Sequence, residues 1–113
     1  MASSSSEIKI LVGLDDNKVP ESLEWSAEDG GMKQAEAKAM LLSVWDKKSG
    51  DTLKIDLWTK EMMADEMKKF VHQSLMALAD TLERSTNEKD AAQEMRSFGL
   101  HIGEKMNLIQ KNK

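Results

Sequence analysis

The chain has 113 residues, 32% of them charged and 40% hydrophobic, a balance typical of a folded globular domain rather than a disordered chain. The 16 basic and 20 acidic residues give a net charge of −4, and no basic cluster is present that could neutralise phosphates, so nucleic-acid binding is not expected. Cysteine is absent, which excludes disulfides, zinc–thiolate sites and thiol catalysis. No apolar run is long enough to cross a bilayer and the first residues do not resemble a secretory signal, so we expect a cytoplasmic protein with no membrane insertion.

The start of the chain differs in composition from the rest. Residues 1–6 include four consecutive serines that have nothing to bury, which predicts a disordered tail. No repeat or linker divides the remainder. Residues 7–110 are therefore expected to form a single domain.

Alternating apolar residues predict strands in the first part of the chain. Positions 8–14 follow the period of two that is typical of a strand with one buried face, and a weaker alternation from Leu23 to Ala27 predicts a second, short strand. Gly30 and Gly31 then break the pattern. A helix is possible at 33–40, because the alanine-rich sequence there has high helix propensity.

A β-hairpin is predicted over the next segment. Residues 39–45 are nearly all apolar, which predicts a strand inside a sheet. The five residues 47–51 form a predicted loop, with Gly50 available for a left-handed backbone conformation. Apolar residues alternate again at 53–57, which predicts the returning strand.

From Lys60 onward the apolar period becomes 3.6, which predicts two amphipathic helices. The first is expected to end near Arg84, because the sequence at 85–88 matches a capping box for a second helix. The apolar stripe of the first helix is Met67, Phe70, Val71, Ser74, Leu75, Leu78 and Leu82, and that of the second is Ala91, Ala92, Met95, Phe98, Gly99, Ile102, Met106 and Ile109. The sequence therefore predicts an α+β fold: an antiparallel sheet of about four strands followed by two long C-terminal helices packed as a second layer.

Catalytic and metal-binding patterns are weak. His72 and His101 are the only histidines, and neither has a second histidine one helical turn away. The acidic turn at 15–17 lacks the glycine and the closing glutamate of a calcium loop. We therefore predict no catalytic residue, metal or cofactor, while a small enzyme using either histidine with neighbouring carboxylates is the opposing alternative.

The apolar residues exceed what two helices would cover. If the helices cover the sheet face that bears Ile10 and Ile55, the opposite face still carries several large side chains, more than a monomer usually exposes. A loop, a second copy of the chain or another protein could cover that face. The candidate partner-binding residues are Leu11, Met40, Leu42, Val44, Trp58 and Met76, of which the last projects among polar residues of the first helix.

Several segments resemble a known family. The chain reads EAKAMLLSVWD at 36–46, LKIDLWTK at 53–60, DEMK at 65–68, ADTLER at 79–84 and MRSFG at 95–99. Further matches are Phe70, His72 and Gln73. Over most of its length from Glu7 onward, the sequence is similar to the bacterial gliding-motility protein GldC family.

The resemblance implies a small accessory protein of surface gliding, with no catalytic residue to transfer. We expect a non-enzymatic protein, a homodimer, that binds a protein partner of unknown identity through an apolar sheet face or a helical groove. The alternative is a holdase that binds unfolded clients, because strands followed by two helices also resemble the layout of the SecB export chaperone. A purely structural subunit of a larger machine is a further alternative.

Overall fold

A computed structural model describes residues 3–110, and the chain divides into two compact units, one ending at Met63 and one beginning at Ala64. The first unit contains five antiparallel strands and the second contains two helices, which confirms the predicted α+β class. The strands form two sheets rather than one sheet of about four strands. The single domain over 7–110 stays a prediction. Of the predicted tail, Met1 and Ala2 lie outside the described residues, and the Ser6 hydroxyl donates a hydrogen bond to Asp29 Oδ2.

The first sheet has the strand order β1-β2-β3 and is antiparallel throughout. Its strands are β1 (Lys9–Leu14), β2 (Pro20–Ala27) and β3 (Met32–Ala37). Directly paired residues project to the same face of an antiparallel sheet. One face is therefore apolar and consists of Ile10, Val12, Leu23, Trp25, Ala35 and Ala37. Leu23, at its centre, is only 3% exposed.

The segment after the predicted glycine break is a strand and not a helix. A short 3-10 helix, Glu28–Gly30, ends at Gly31 with φ of 81°, and β3 follows at once. Pairing of β3 with β2 supplies backbone hydrogen bonds to Ala35 and its neighbours, and this pairing outweighs the helix propensity of alanine. The ladder is irregular near Gln34, whose backbone N–H donates to Ser26 Oγ at 2.9 Å.

The second sheet is the predicted hairpin of β4 (Ala39–Trp45) and β5 (Thr52–Trp58). The connecting loop covers residues 46–51, one residue more than the sequence predicts. Gly50 adopts the left-handed conformation expected of it, with φ of 68°. After β5, the N–H of Thr59 donates to the carbonyl oxygen of Lys38 at 2.8 Å, and Thr59 is buried.

The second unit is an antiparallel pair of helices, α1 (Ala64–Thr86) and α2 (Lys89–Lys105). The predicted capping box is wrong. The Ser85 hydroxyl donates to the carbonyl oxygen of Thr81 inside α1, and Glu88 at the start of α2 makes no side-chain cap. Asn87 ends α1 instead, with φ of 63° and an N–H that donates to the carbonyl oxygen of Glu83.

The two helices approach closely where α2 has glycines. A Cβ atom at Gly99 would lie 2.4 Å from Met76 Sδ, and one at Gly103 would lie 3.0 Å from His72 Nε2. Ala79 and Ala92 are fully buried. The small residues of α2 therefore accept side chains of α1. Within the described residues, neither helix is long and apolar enough to cross a membrane.

Candidate protein-interaction site

One face of the β4–β5 hairpin is entirely apolar. The antiparallel register places Met40 opposite Leu57, Leu42 opposite Ile55 and Val44 opposite Leu53. Because paired residues share a face, these side chains form one continuous surface without a charge. We call it the hairpin face; its residues are Met40, Leu42, Val44, Leu53, Ile55 and Leu57.

Most of the hairpin face is open to solvent. Leu42 and Val44 are 37% and 49% exposed, and Leu53 and Ile55 are 55% and 52% exposed. Met40 and Leu57 are partly buried. Exposed apolar surface of this extent is typical of a site that another macromolecule covers.

The opposite face of the hairpin is mixed in character. It carries Leu41 and Trp45 of β4, and on β5 it carries Trp58 together with an ion pair in which Lys54 Nζ lies 3.3 Å from Asp56 Oδ2. Trp58 lies opposite Ala39, so it does not share a surface with Met40, Leu42 and Val44. The structure thus places the predicted partner-binding residues of the hairpin on two different faces.

The loop of the hairpin holds this register through one carboxylate. Asp46 Oδ2 accepts a hydrogen bond from the Ser49 N–H at 2.8 Å, and the Gly50 N–H donates to the Asp46 carbonyl oxygen at 2.9 Å. Ser49, through its N–H and then its side chain, holds the pKa of Asp46 below its usual value. An ionised, hydrogen-bonded Asp46 therefore fixes the turn between the end of β4 and the start of β5.

Leu11 and Met76 lie away from the hairpin face. Leu11 is exposed on the polar face of the first sheet, where it pairs with Glu24. Met76 is partly buried and packs over Gly99 between the helices. Met76 is thus occupied by contacts within its own chain, although the sequence places it among polar residues of α1.

Three residues of the hairpin face were missing from the predicted site. Alternation alone puts Leu53 and Ile55 with Ile10 on a sheet face that the helices could cover, and it assigns Leu57 to neither face. The signal that could have found them is the pairing register, because it alone decides which set of β4 side chains shares their face.

The histidines lie in the helical unit and make structural contacts. His72 Nε2 lies 3.0 Å from the carbonyl oxygen of Gly99, and the ring of the exposed His101 lies 6.3 Å from that of Phe98. In residues 3–110, no group of three or more histidine, aspartate or glutamate side chains is arranged to hold a metal ion.

The fold and the site define a small α+β protein in which antiparallel strands precede a helical pair and one hairpin face is uncharged. The family model described as "Gliding motility-associated protein GldC-like" matches residues 20–108. The chain therefore belongs to the GldC-like family, as its sequence resemblance implied, and the family is described as gliding motility-associated. No curated protein and no solved structure matches it.

Proposed function

We propose that the chain is a non-enzymatic accessory protein of gliding motility that binds a protein partner through the hairpin face. The observation that carries the proposal is the register of β4 and β5, which brings six uncharged side chains to one exposed surface. The partner surface is expected to be apolar and uncharged, because a buried charge without a counter-charge costs several kcal/mol. A cytoplasmic location remains the expectation from the sequence.

The stability of the hairpin also favours a covering surface. A two-stranded sheet is marginally stable on its own in water, and the second sheet has only β4 and β5 among the described residues. Burial of roughly 400 Å² of apolar surface contributes roughly 10 kcal/mol at about 25 cal/mol per Å², before the costs of association are deducted. A partner on the hairpin face would therefore stabilise the hairpin, and the buried apolar surface would contribute to the affinity of the complex.

Two adjacent leucines of β4 give a matched test. Leu42 lies on the hairpin face and is 37% exposed, whereas Leu41 lies on the opposite face and is 42% exposed. The variants Leu42→Lys and Leu41→Lys would be expressed in a gliding bacterium that lacks its own copy of the protein. We expect Leu42→Lys to abolish colony spreading and Leu41→Lys to retain it, with spreading measured as colony radius on agar.

Binding is measured in the same cells by affinity purification of the tagged protein. A partner that accompanies the wild type and Leu41→Lys, and is lost from Leu42→Lys, would support the proposal. Equal spreading and equal partner recovery for the two variants would contradict the proposal, because it requires a substitution on the hairpin face to differ in effect from one on the opposite face. An equal loss in both is what a general folding defect would give.

The non-enzymatic character and the single partner are tested separately. The variants His72→Gln and His101→Gln should leave spreading unchanged, because no step depends on an imidazole. The purified wild type should not suppress the aggregation of an unrelated heat-unfolded protein, measured by light scattering. Suppression that Leu42→Lys removes would instead indicate a holdase.

A further inference from the structure

The helical pair has an apolar face of its own, separate from the hairpin face. The closest approaches of α1 to α2 are those of Met76 to Gly99 and of His72 to Gly103. Leu75 borders Gly99 at a longer distance, and Ala79, in the same row as His72 and Met76, is fully buried. On a helix, the residues that come one position before the contact residues form a row about 100° around the helix axis from them. Because the helices are antiparallel, the two rows that precede the contact rows lie on the same side of the pair.

These two rows consist of apolar residues. We call their surface the helical face; it consists of Val71, Leu75, Leu78 and Leu82 of α1 and Ala91, Met95, Phe98 and Ile102 of α2. Val71, Leu78 and Phe98 are 49%, 59% and 55% exposed. The rows on the other side of the pair are mostly polar and include Asp80 and Glu104.

Two opposite charges lie on the α2 rim of the helical face. Glu94 and Lys105 are exposed, lie in one row with Phe98 and His101, and are three helical turns apart. In the described part of the chain neither of them forms an ion pair. The α1 rim is uncharged and consists of Ser74, Thr81 and Ser85.

We propose that a second copy of this chain covers the helical face, with α2 of the two copies packed antiparallel. A two-fold axis between Gly99 and Leu100 brings Glu94 of each copy beside Lys105 of the other, so one interface contains two ion pairs. The same axis places apolar side chains of both helices against their counterparts. The face is therefore complementary to itself in charge and in apolar character, which is what a two-fold interface requires.

The size of the helical face fits a dimer. Two helices side by side are about 20 Å wide, and a helix of 17 residues is about 25 Å long, which gives on the order of 500 Å² per copy. Two copies then bury about 1,000 Å², the lower limit for a specific interface. The proposal concerns a different surface from the hairpin face and does not rest on the gliding role.

The first test compares two exposed apolar residues of α2. Phe98 lies on the helical face and Leu100, which is 51% exposed, lies toward the other side of the helix. The molar mass of the purified full chain is measured by sedimentation equilibrium over a range of concentrations. We expect a dimer for the wild type and Leu100→Glu, and an increase of about 100-fold in the dimer dissociation constant for Phe98→Glu.

The second test exchanges the rim charges. Glu94→Lys alone and Lys105→Glu alone place like charges together and should each raise the dissociation constant about 10-fold. The double variant Glu94→Lys with Lys105→Glu restores both pairs and should return the constant to within about threefold of the wild type. This rescue separates the two-fold contact from a folding defect.

Three results would overturn the proposal. The first is a wild type that stays monomeric at 100 μM. The second is an equal dimer dissociation constant for Phe98→Glu and Leu100→Glu. The third is a double variant whose dissociation constant is as high as that of either single charge reversal. A dimer that Leu42→Lys dissociates while Phe98→Glu leaves it intact would likewise assign self-association to the hairpin face and reject the helical face.

Discussion

The carboxylate of Asp15 organises the turn between β1 and β2 and connects it to the segment after β5. It accepts hydrogen bonds from the N–H groups of Asn17 and Val19 and forms an ion pair with Lys60. The hydrogen bond from Lys60, followed by that from the Val19 N–H, holds the pKa of Asp15 below its ordinary value of 3.8. Ionised Asp15 therefore stabilises the fold above about pH 3.8, and this contribution is lost as the pH falls through the lower folded-state pKa.

The variant Asp15→Asn should remove this acid-dependent contribution. We expect a lower melting temperature than the wild type at neutral pH and a difference that becomes smaller as the pH is lowered, because the wild-type carboxyl is then increasingly protonated as well. Thermal unfolding followed by circular dichroism between pH 2 and 7 measures both values. The control Asp16→Asn changes the same charge at the neighbouring turn position, and an equal loss from it would show that only net charge matters.

The faces of individual residues were the least predictable feature of the candidate site. A five-residue loop at 47–51 would pair position 44 with position 54 and bring Trp58 to the face of Met40. The observed loop covers 46–51, pairs Val44 with Leu53 and puts Trp58 on the other face. A shift of one residue moves every side chain of a strand to the opposite face, and the length of a loop cannot be read from apolar alternation.

At the scale of the elements, the helix pair shows why an apolar stripe does not identify the contact row. The sequence stripe of α1 is centred on residues such as Leu75 and Leu78, whereas the close contacts to α2 are made by His72 and Met76. The reason is the spacing of Gly99 and Gly103 on α2, which lets the helix axes approach along that row and leaves Leu78 exposed. Helix propensity and hydropathy do not contain this information.

The close approach at Gly103 gives a prediction for the stability of the helical unit. A side chain in Gly103→Val would collide with the imidazole of His72 and with Ile109, whose Cδ1 lies 2.6 Å from an ideal Cβ position. We expect the free energy of unfolding to fall by about 1 to 3 kcal/mol, as in other overpacked sites. Urea denaturation measures it.

The matched control is Ser97→Val, which introduces the same side chain at an exposed position of α2. It should change the free energy of unfolding by less than about 0.5 kcal/mol. A loss of equal size in both variants would indicate that valine is unfavourable in this helix for reasons other than the contact with His72.

At the scale of the whole molecule, the order of the elements was predictable because the apolar period changes from two to 3.6 near Lys60. The division of the strands into two sheets was not. Only Lys38 separates β3 from β4, and neither glycine nor proline marks the point where the chain passes from one sheet to the other. A single bend of the backbone carries no strong sequence signal, and the helical interpretation that the sequence left open at 33–40 runs across this bend.

The two proposed surfaces make a prediction for the molecule as a whole. Because the hairpin face and the helical face share no residue, Leu42→Lys should leave the dimer dissociation constant within about threefold of the wild type while it removes partner binding. Sedimentation equilibrium and affinity purification measure these two properties on the same protein. A dimer that is lost together with the partner would indicate that one surface serves both purposes.

The sparse interior has a consequence for the amount of protein in the cell. Among the described residues, the buried hydrophobic side chains are Leu23, Ala79 and Ala92, and no large side chain is fully enclosed. A chain that keeps so little apolar surface away from water opens easily and is a good protease substrate while it is alone. If a partner or a second copy covers the proposed surfaces, newly made copies that stay outside the complex would be degraded, and the abundance of this protein would follow the supply of that partner.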